Sequence, residues 1–130
     1  MKEKYKITGI AHVGIPTNNI EMTKKFYQSL GFDIILETYN EKAKEKVAFL
    51  QCKNYCVETF ENKQAVMVDG AYQHVALEVE DIEQMYADIC CAGYLMATDG
   101  IETLPFWKNG VKFFMVYGPN RERIEFCQKL

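Results

Sequence analysis

The sequence predicts an α+β fold made of two tandem modules, each a strand, a helix and three further strands. Three observations carry this: an internal repeat, a switch of apolar period within each copy, and turn residues that punctuate it. Residues 12–32, "HVGIPTNNIEMTKKFYQSLGF", align without a gap on residues 74–94, "HVALEVEDIEQMYADICCAGY". The His-Val pairs coincide, as do Ile15 with Leu77, the Ile-Glu pairs at 20–21 and 82–83, and Gly31 with Gly93, each followed by an aromatic. His12 and His74 are the only histidines in the chain.

Each copy opens with residues that alternate apolar with small or polar around its histidine, the period of a strand. The period then lengthens to that of a helix. In the first copy Asn18 or Asn19 is placed to cap a helix whose buried stripe is Met22, Phe26, Tyr27 and Leu30, and Gly31 is the expected stop. In the second, Glu80 and Asp81 occupy the capping region, Ile82, Met85, Tyr86 and Ile89 form the stripe, and Gly93 ends it. These stripes are read as core.

Three extended segments follow each helix. In the first copy they are "FDIILETY", the charged turn "NEKAKEK", "VAFLQC", the turn "KN", and "YCVETFE". In the second they are "YLMATD", a longer loop carrying "TLPFWKNG", "VKFFMVY", the turn "GPNRE", and "RIEFCQ". One domain of two repeats, about 5–65 and 70–130, accounts for the chain.

The bulk properties narrow the function. The 130 residues are 48% hydrophobic and carry a formal charge of −3, with lysines scattered rather than clustered, so nucleic-acid binding is not expected. Nothing approaches the apolar run that spans a bilayer, and "MKEKYKITGIAHV" lacks the long apolar region of a secretory signal. Cys52, Cys56, Cys90, Cys91 and Cys127 are odd in number and include an adjacent pair, a poor disulfide framework that fits a reducing cytoplasm. Cys52 and Cys56 have no second pair or nearby histidine to complete a zinc set.

The chemistry-bearing residues fall at equivalent places in the repeat. The last strand of each copy holds one glutamate among apolar residues, Glu58 in "YCVETF" and Glu125 in "RIEFCQ". By alternation Val57 and Thr59 face away from Glu58, and Ile124 and Phe126 away from Glu125, leaving both carboxylates on the side of the histidines. Gly14 and Ala76, two positions beyond each histidine on the same face, leave space before the imidazoles. If the copies pair about a pseudo-twofold axis, two nitrogen and two oxygen donors converge on one point. Such a set suits divalent nickel, cobalt, manganese or zinc with positions open to water or substrate.

These residues resemble the vicinal oxygen chelate superfamily, which includes glyoxalase I, methylmalonyl-CoA epimerase, fosfomycin-resistance proteins, extradiol dioxygenases and bleomycin-resistance proteins. The resemblance runs from "ITGIAHVGI" through "FYQSLGF" and "HVALEVEDIE" to "GPNRERIEF". It implies paired βαβββ modules whose curved mixed sheets surround a central metal and ligand cavity, often completed across a homodimer interface. It implies a metal set of His12, Glu58, His74 and Glu125, matching the ligand positions of glyoxalase I. The implied activity is that of a lyase or isomerase acting on a small oxygenated substrate. A proton moves through a metal-bound enediolate, with Glu125 the leading base and Glu58 a ligand or partner base.

Departures bear on the substrate. Glyoxalase I has an arginine four residues beyond its first metal histidine that helps hold glutathione, and this chain has Pro16 there. Methylmalonyl-CoA epimerase is an alternative resemblance in the second module, but no basic cluster awaits the CoA phosphates. A non-catalytic small-molecule binder of the bleomycin-resistance type is the alternative from another class. Phe106 and Trp107 in "TLPFWKNG" are candidates for the lining of a substrate pocket, and equally for a cap on the sheet or a subunit contact.

Overall fold

A computed structural model describes residues 5–130; the charged start of the chain, residues 1–4, lies outside the described residues. The chain divides into two units, the first ending at Ala65 and the second beginning at Val66. Each repeats one α+β plan.

In the first unit β1 (Val13–Pro16) is followed by α1 (Ile20–Ser29), β2 (Asp33–Asn40), β3 (Glu45–Cys52) and β4 (Tyr55–Phe60). The sheet order is β1-β4-β3-β2, with β1 parallel to β4 and the other neighbours antiparallel. The second unit has β5 (His74–Glu78), α2 (Ile82–Ala92), β6 (Glu102–Leu104), β7 (Val111–Tyr117) and β8 (Arg123–Lys129). Its order, β5-β8-β7-β6, is the same topology, again with one parallel pair. The helix between first and second strands supplies the crossover that lets first and last strands run parallel.

Both helices are capped as their sequences direct. Asn19 accepts from the Met22 amide and Asp81 from the Gln84 amide, each satisfying a first-turn donor. Asn18 instead accepts from the Ala65 amide. Gly93 closes α2 in the left-handed region at φ 83°, and the expected Gly31 closes α1 at φ 100° just after Leu30, with the Phe32 amide bonded back to the Tyr27 carbonyl.

One sheet face in each unit carries the core. Tyr27, Phe32, Leu50 and Val57 are buried in the first, and Ile82, Phe114, Val116, Ile124 and Phe126 in the second. Tyr27 meets Phe32 edge-on at 5.2 Å, and Tyr86 meets Phe114 at 5.2 Å. The apolar stripe of α1 differs from the expected one. Met22 is 54% exposed, and the buried positions are Ile20, Thr23 and Tyr27. Thr23 is accepted inside because its hydroxyl pairs with that of Thr17 at 2.9 Å.

Two extended segments differ from the sequence reading. The strand expected around His12 begins only at Val13, and residues 5–12 precede it without regular structure. "YLMATD" forms no strand; Met96 makes an isolated bridge to Val116. Backbone bonds from Tyr117 to Leu95 and from Ala97 to Met115 start a ladder there, but the Thr98 hydroxyl takes the Met115 amide and Gly100 turns the chain at φ 84°. The third strand neighbour is therefore β6, three residues inside the predicted loop.

Candidate functional site

Each unit builds its own donor pair on a parallel strand pair, and the two registers match. Gly14 lies opposite Glu58 on the parallel β1–β4 ladder, and Ala76 opposite Glu125 on β5–β8. Each histidine stands two residues ahead of that small residue, on the same face. His12 Nε2 lies 3.2 Å from Glu58 Oε1, and His74 Nε2 lies 3.4 Å from Glu125 Oε1. The predicted face assignment therefore holds: Val57 and Ile124 are buried, while the carboxylates point the other way and stay partly open, 28% for Glu58 and 16% for Glu125.

A β-carbon added to Gly14 would stand 3.8 Å from Glu58 Oε1 and 3.5 Å from Phe60 Cε1, ordinary contact distances that place this position beside the carboxylate.

The two imidazoles are held differently. His12 sets its ring against Phe49 at 5.3 Å and 85°, an edge contact that fixes its plane without using a ring nitrogen. His74 Nδ1 lies 3.0 Å from Gln73 Oε1, and the Gln73 amide nitrogen reaches Asp69 Oδ2 at 3.4 Å. Asp69 in turn accepts from Arg123 Nε at 2.8 Å. The Arg123 hydrogen bond holds the Asp69 carboxyl below the usual carboxylate range. Sequence reasoning missed Phe49, Gln73, Asp69 and Arg123; of these only Gln73 had a visible signal, its position beside His74.

Thiols flank both glutamates. Burial, reinforced by Glu58, pushes the Cys56 thiol up, and burial with Glu125 and Glu78 does the same to Cys127. All five cysteines are free.

Phe106 and Trp107 are exposed, 55% and 65%, in the loop after β6. Trp107 takes a left-handed φ of 65°, and Lys129 Nζ lies 4.1 Å over its ring. Among the described residues no helix is long and apolar enough to cross a membrane.

The profile of the Glyoxalase/Bleomycin resistance protein/Dioxygenase superfamily matches residues 9–126. The chain belongs to this superfamily. Solved structures of the superfamily's fold agree. A glyoxalase family protein from Enterococcus faecalis is 25% identical, covers 92% of this chain and 97% of its own, and superposes with a TM-score of 0.76. The trypanothione-dependent glyoxalase I of Leishmania major is 21% identical over 90% of this chain and 84% of its own, TM-score 0.70. The genomically encoded fosfomycin resistance protein of Listeria monocytogenes is 15% identical over 96% of both chains, TM-score 0.73. No curated protein matches the chain at a significant level. Like those structures, the chain carries the α+β architecture of the superfamily, two mixed four-stranded sheets with two helices.

The donor chemistry fits the divalent ions that superfamily members typically use. Among the described residues no group of three or more His, Cys, Asp or Glu side chains is placed to hold an ion, so the convergence of four donors expected from the repeat is not seen. Each unit by itself offers an imidazole nitrogen and a carboxylate oxygen, open to solvent, and the two units carry the same donor types.

Proposed function

We propose that the protein is a metal-dependent enzyme of the glyoxalase type, a lyase or isomerase that moves a proton on a small oxygenated substrate. Its ligand set is His12, Glu58, His74 and Glu125, and it works as a homodimer in the cytoplasm. The observation that supports this reading is the repetition of one donor pair, His Nε2 against Glu Oε1 at 3.2 and 3.4 Å, at the same register of two modules. A single His–Glu contact is an ordinary surface pair. Its duplication beside Gly14 and Ala76 supports a role for the two pairs beyond that of a surface contact.

A nickel, cobalt, manganese or zinc ion, when bound, supplies Lewis acidity to neighbouring substrate oxygens. The chain supplies the rest. Glu125 Oε1 accepts a proton from the carbon next to a carbonyl and returns it to the adjacent carbon, so no oxidant or cosubstrate is consumed by the transfer itself. Glu125 is assigned this role ahead of Glu58 because its side chain is the more enclosed of the two, 16% exposed against 28%. Pro16 provides no charge for a glutathione carboxylate, so a substrate other than a glutathione adduct is favoured. The homodimer is supported by the exposed Ile35, Leu36 and Tyr39 on β2, an edge strand of the first sheet.

The test begins with calorimetric titration of the dialysed protein with nickel, cobalt, manganese and zinc, followed by turnover assays on methylglyoxal with a range of thiols. We expect uptake of one ion per full donor set and loss of uptake in His12→Ala and His74→Ala. Glu125→Gln should lower turnover by about 10²–10⁴-fold while the fold survives. Unchanged turnover removes Glu125 as the base. A metal-free protein that captures small ligands without converting them belongs instead with the binding members. Light scattering at the mass of one chain removes the homodimer.

A further inference from the structure

We propose that Gln73 is a positioning residue, held by Asp69 and Arg123, that fixes the ring orientation and tautomer of His74 so that Nε2 presents its lone pair on the side of Glu125. The proposal deepens the reading of His74 as a metal ligand and rests on it.

The polarity of the chain of hydrogen bonds starts at Arg123. A guanidinium only donates, and Arg123 Nε donates to Asp69 Oδ1 at 2.8 Å. The ionised carboxylate only accepts, so the Gln73 side chain must turn its amide nitrogen toward Asp69 Oδ2, 3.4 Å away. The two ends of an amide are chemically opposite. With its nitrogen committed to Asp69, Gln73 has only its oxygen to offer His74, and Oε1 lies 3.0 Å from Nδ1. Nδ1 therefore carries the hydrogen. In a neutral imidazole the other nitrogen then holds a lone pair, and Nε2 faces the acceptor-only carboxylate of Glu125 at 3.4 Å. A cation between the two atoms satisfies this juxtaposition; without one, Glu125 competes with Gln73 for the ring hydrogen. Metal-binding histidines are oriented in this way by the partner of their second nitrogen.

The relay is anchored at the shared starting end of one parallel strand pair. Arg123 lies directly opposite His74 in the β5–β8 register, and its guanidinium carbon stacks 5.0 Å over the Tyr117 ring. Arg123 is thus fixed by β7 and β8, and it holds Asp69 and Gln73 in the segment leading into β5. The first unit has no counterpart, since Ala11 precedes His12 and offers no side-chain acceptor. His12 relies on its edge contact with Phe49 instead. The two histidines therefore respond to different substitutions, and each is the internal control for the other.

The test uses nitrogen–proton correlation spectra of the imidazole rings in the metal-free Glu125→Ala protein, where no carboxylate competes for a hydrogen on Nε2, well above the pH at which histidine titrates. With two histidines in the chain, a His12→Ala variant assigns both signals. We expect His74 to hold its hydrogen on Nδ1, Gln73→Leu to shift it toward Nε2 while the His12 signals stay unchanged, and Gln73→Glu, still an acceptor, to restore it. Zinc affinity should fall about 10–100-fold in Gln73→Leu and recover in Gln73→Glu. In the Glu125→Ala background, a His74 tautomer that is the same with and without Gln73→Leu, or one with its hydrogen on Nε2 from the start, overturns the proposal. A tautomer that follows Gln73 in a protein that takes up no metal upholds the relay and overturns the metal reading instead.

Discussion

Thr59 stands one residue from Glu58 and faces the opposite way, into the core. Its hydroxyl is fully buried and, among the described residues, has no hydrogen-bond partner. An unpaired buried hydroxyl costs about 1–3 kcal/mol, so Thr59→Val should stabilise the fold by about 1 kcal/mol, read as a higher urea midpoint at unchanged slope. A lower midpoint would mean that an ordered water serves the hydroxyl. Asp69 gives a second prediction. Because Arg123 depresses its folded-state pKa, its contribution is complete above the ordinary aspartate titration and is lost as pH falls through the lowered value. The Asp69 carboxyl carbon should titrate below ordinary aspartate by NMR, and Arg123→Gln should return it to the usual range; an unmoved midpoint would exclude Arg123 as the cause. The thiols give a third. Cys90 and Cys91 are exposed on α2, while Cys127 is buried with its thiol pushed up. Iodoacetamide at neutral pH should label the α2 pair well before Cys127, and urea should abolish the difference. Equal labelling in the native protein would contradict the burial of Cys127.

The helices owe their boundaries to side chains that are plain in the sequence. Asn19 and Asp81 each serve one orphan amide, and replacing either with alanine should cost about 1 kcal/mol by urea denaturation. A cost near zero would mean that water caps the turn equally well. Strand order was not legible from local pattern. "YLMATD" has the composition of a strand, yet Thr98 and Gly100 end its pairing after one bridge, because a side-chain hydroxyl competes with the ladder. The exposed Met22 and buried Thr23 reflect the same limit, since a hydroxyl pair with Thr17 is a tertiary fact that helical spacing does not encode.

For the chain as a whole, the repeat made the fold legible, because two copies in one register imply two units of one topology. It also singled out His12, Glu58, His74 and Glu125, whose pairing within each unit follows from strand parity. The supports of the imidazoles were not legible. Phe49 and Arg123 reach their histidines across strands, and a sequence without coordinates does not reveal such neighbours. The asymmetry they create, one ring packed and the other hydrogen-bonded, is hidden beneath matching letters.

In both units the strand that opens the module lies against the strand that closes it. Every donor pair thus joins the beginning of its segment to the end. Under the proposed function, ion uptake would double as a readout of completed folding: a slip or insertion inside a module that parts its first strand from its last should weaken uptake, however far from the imidazole the damage falls.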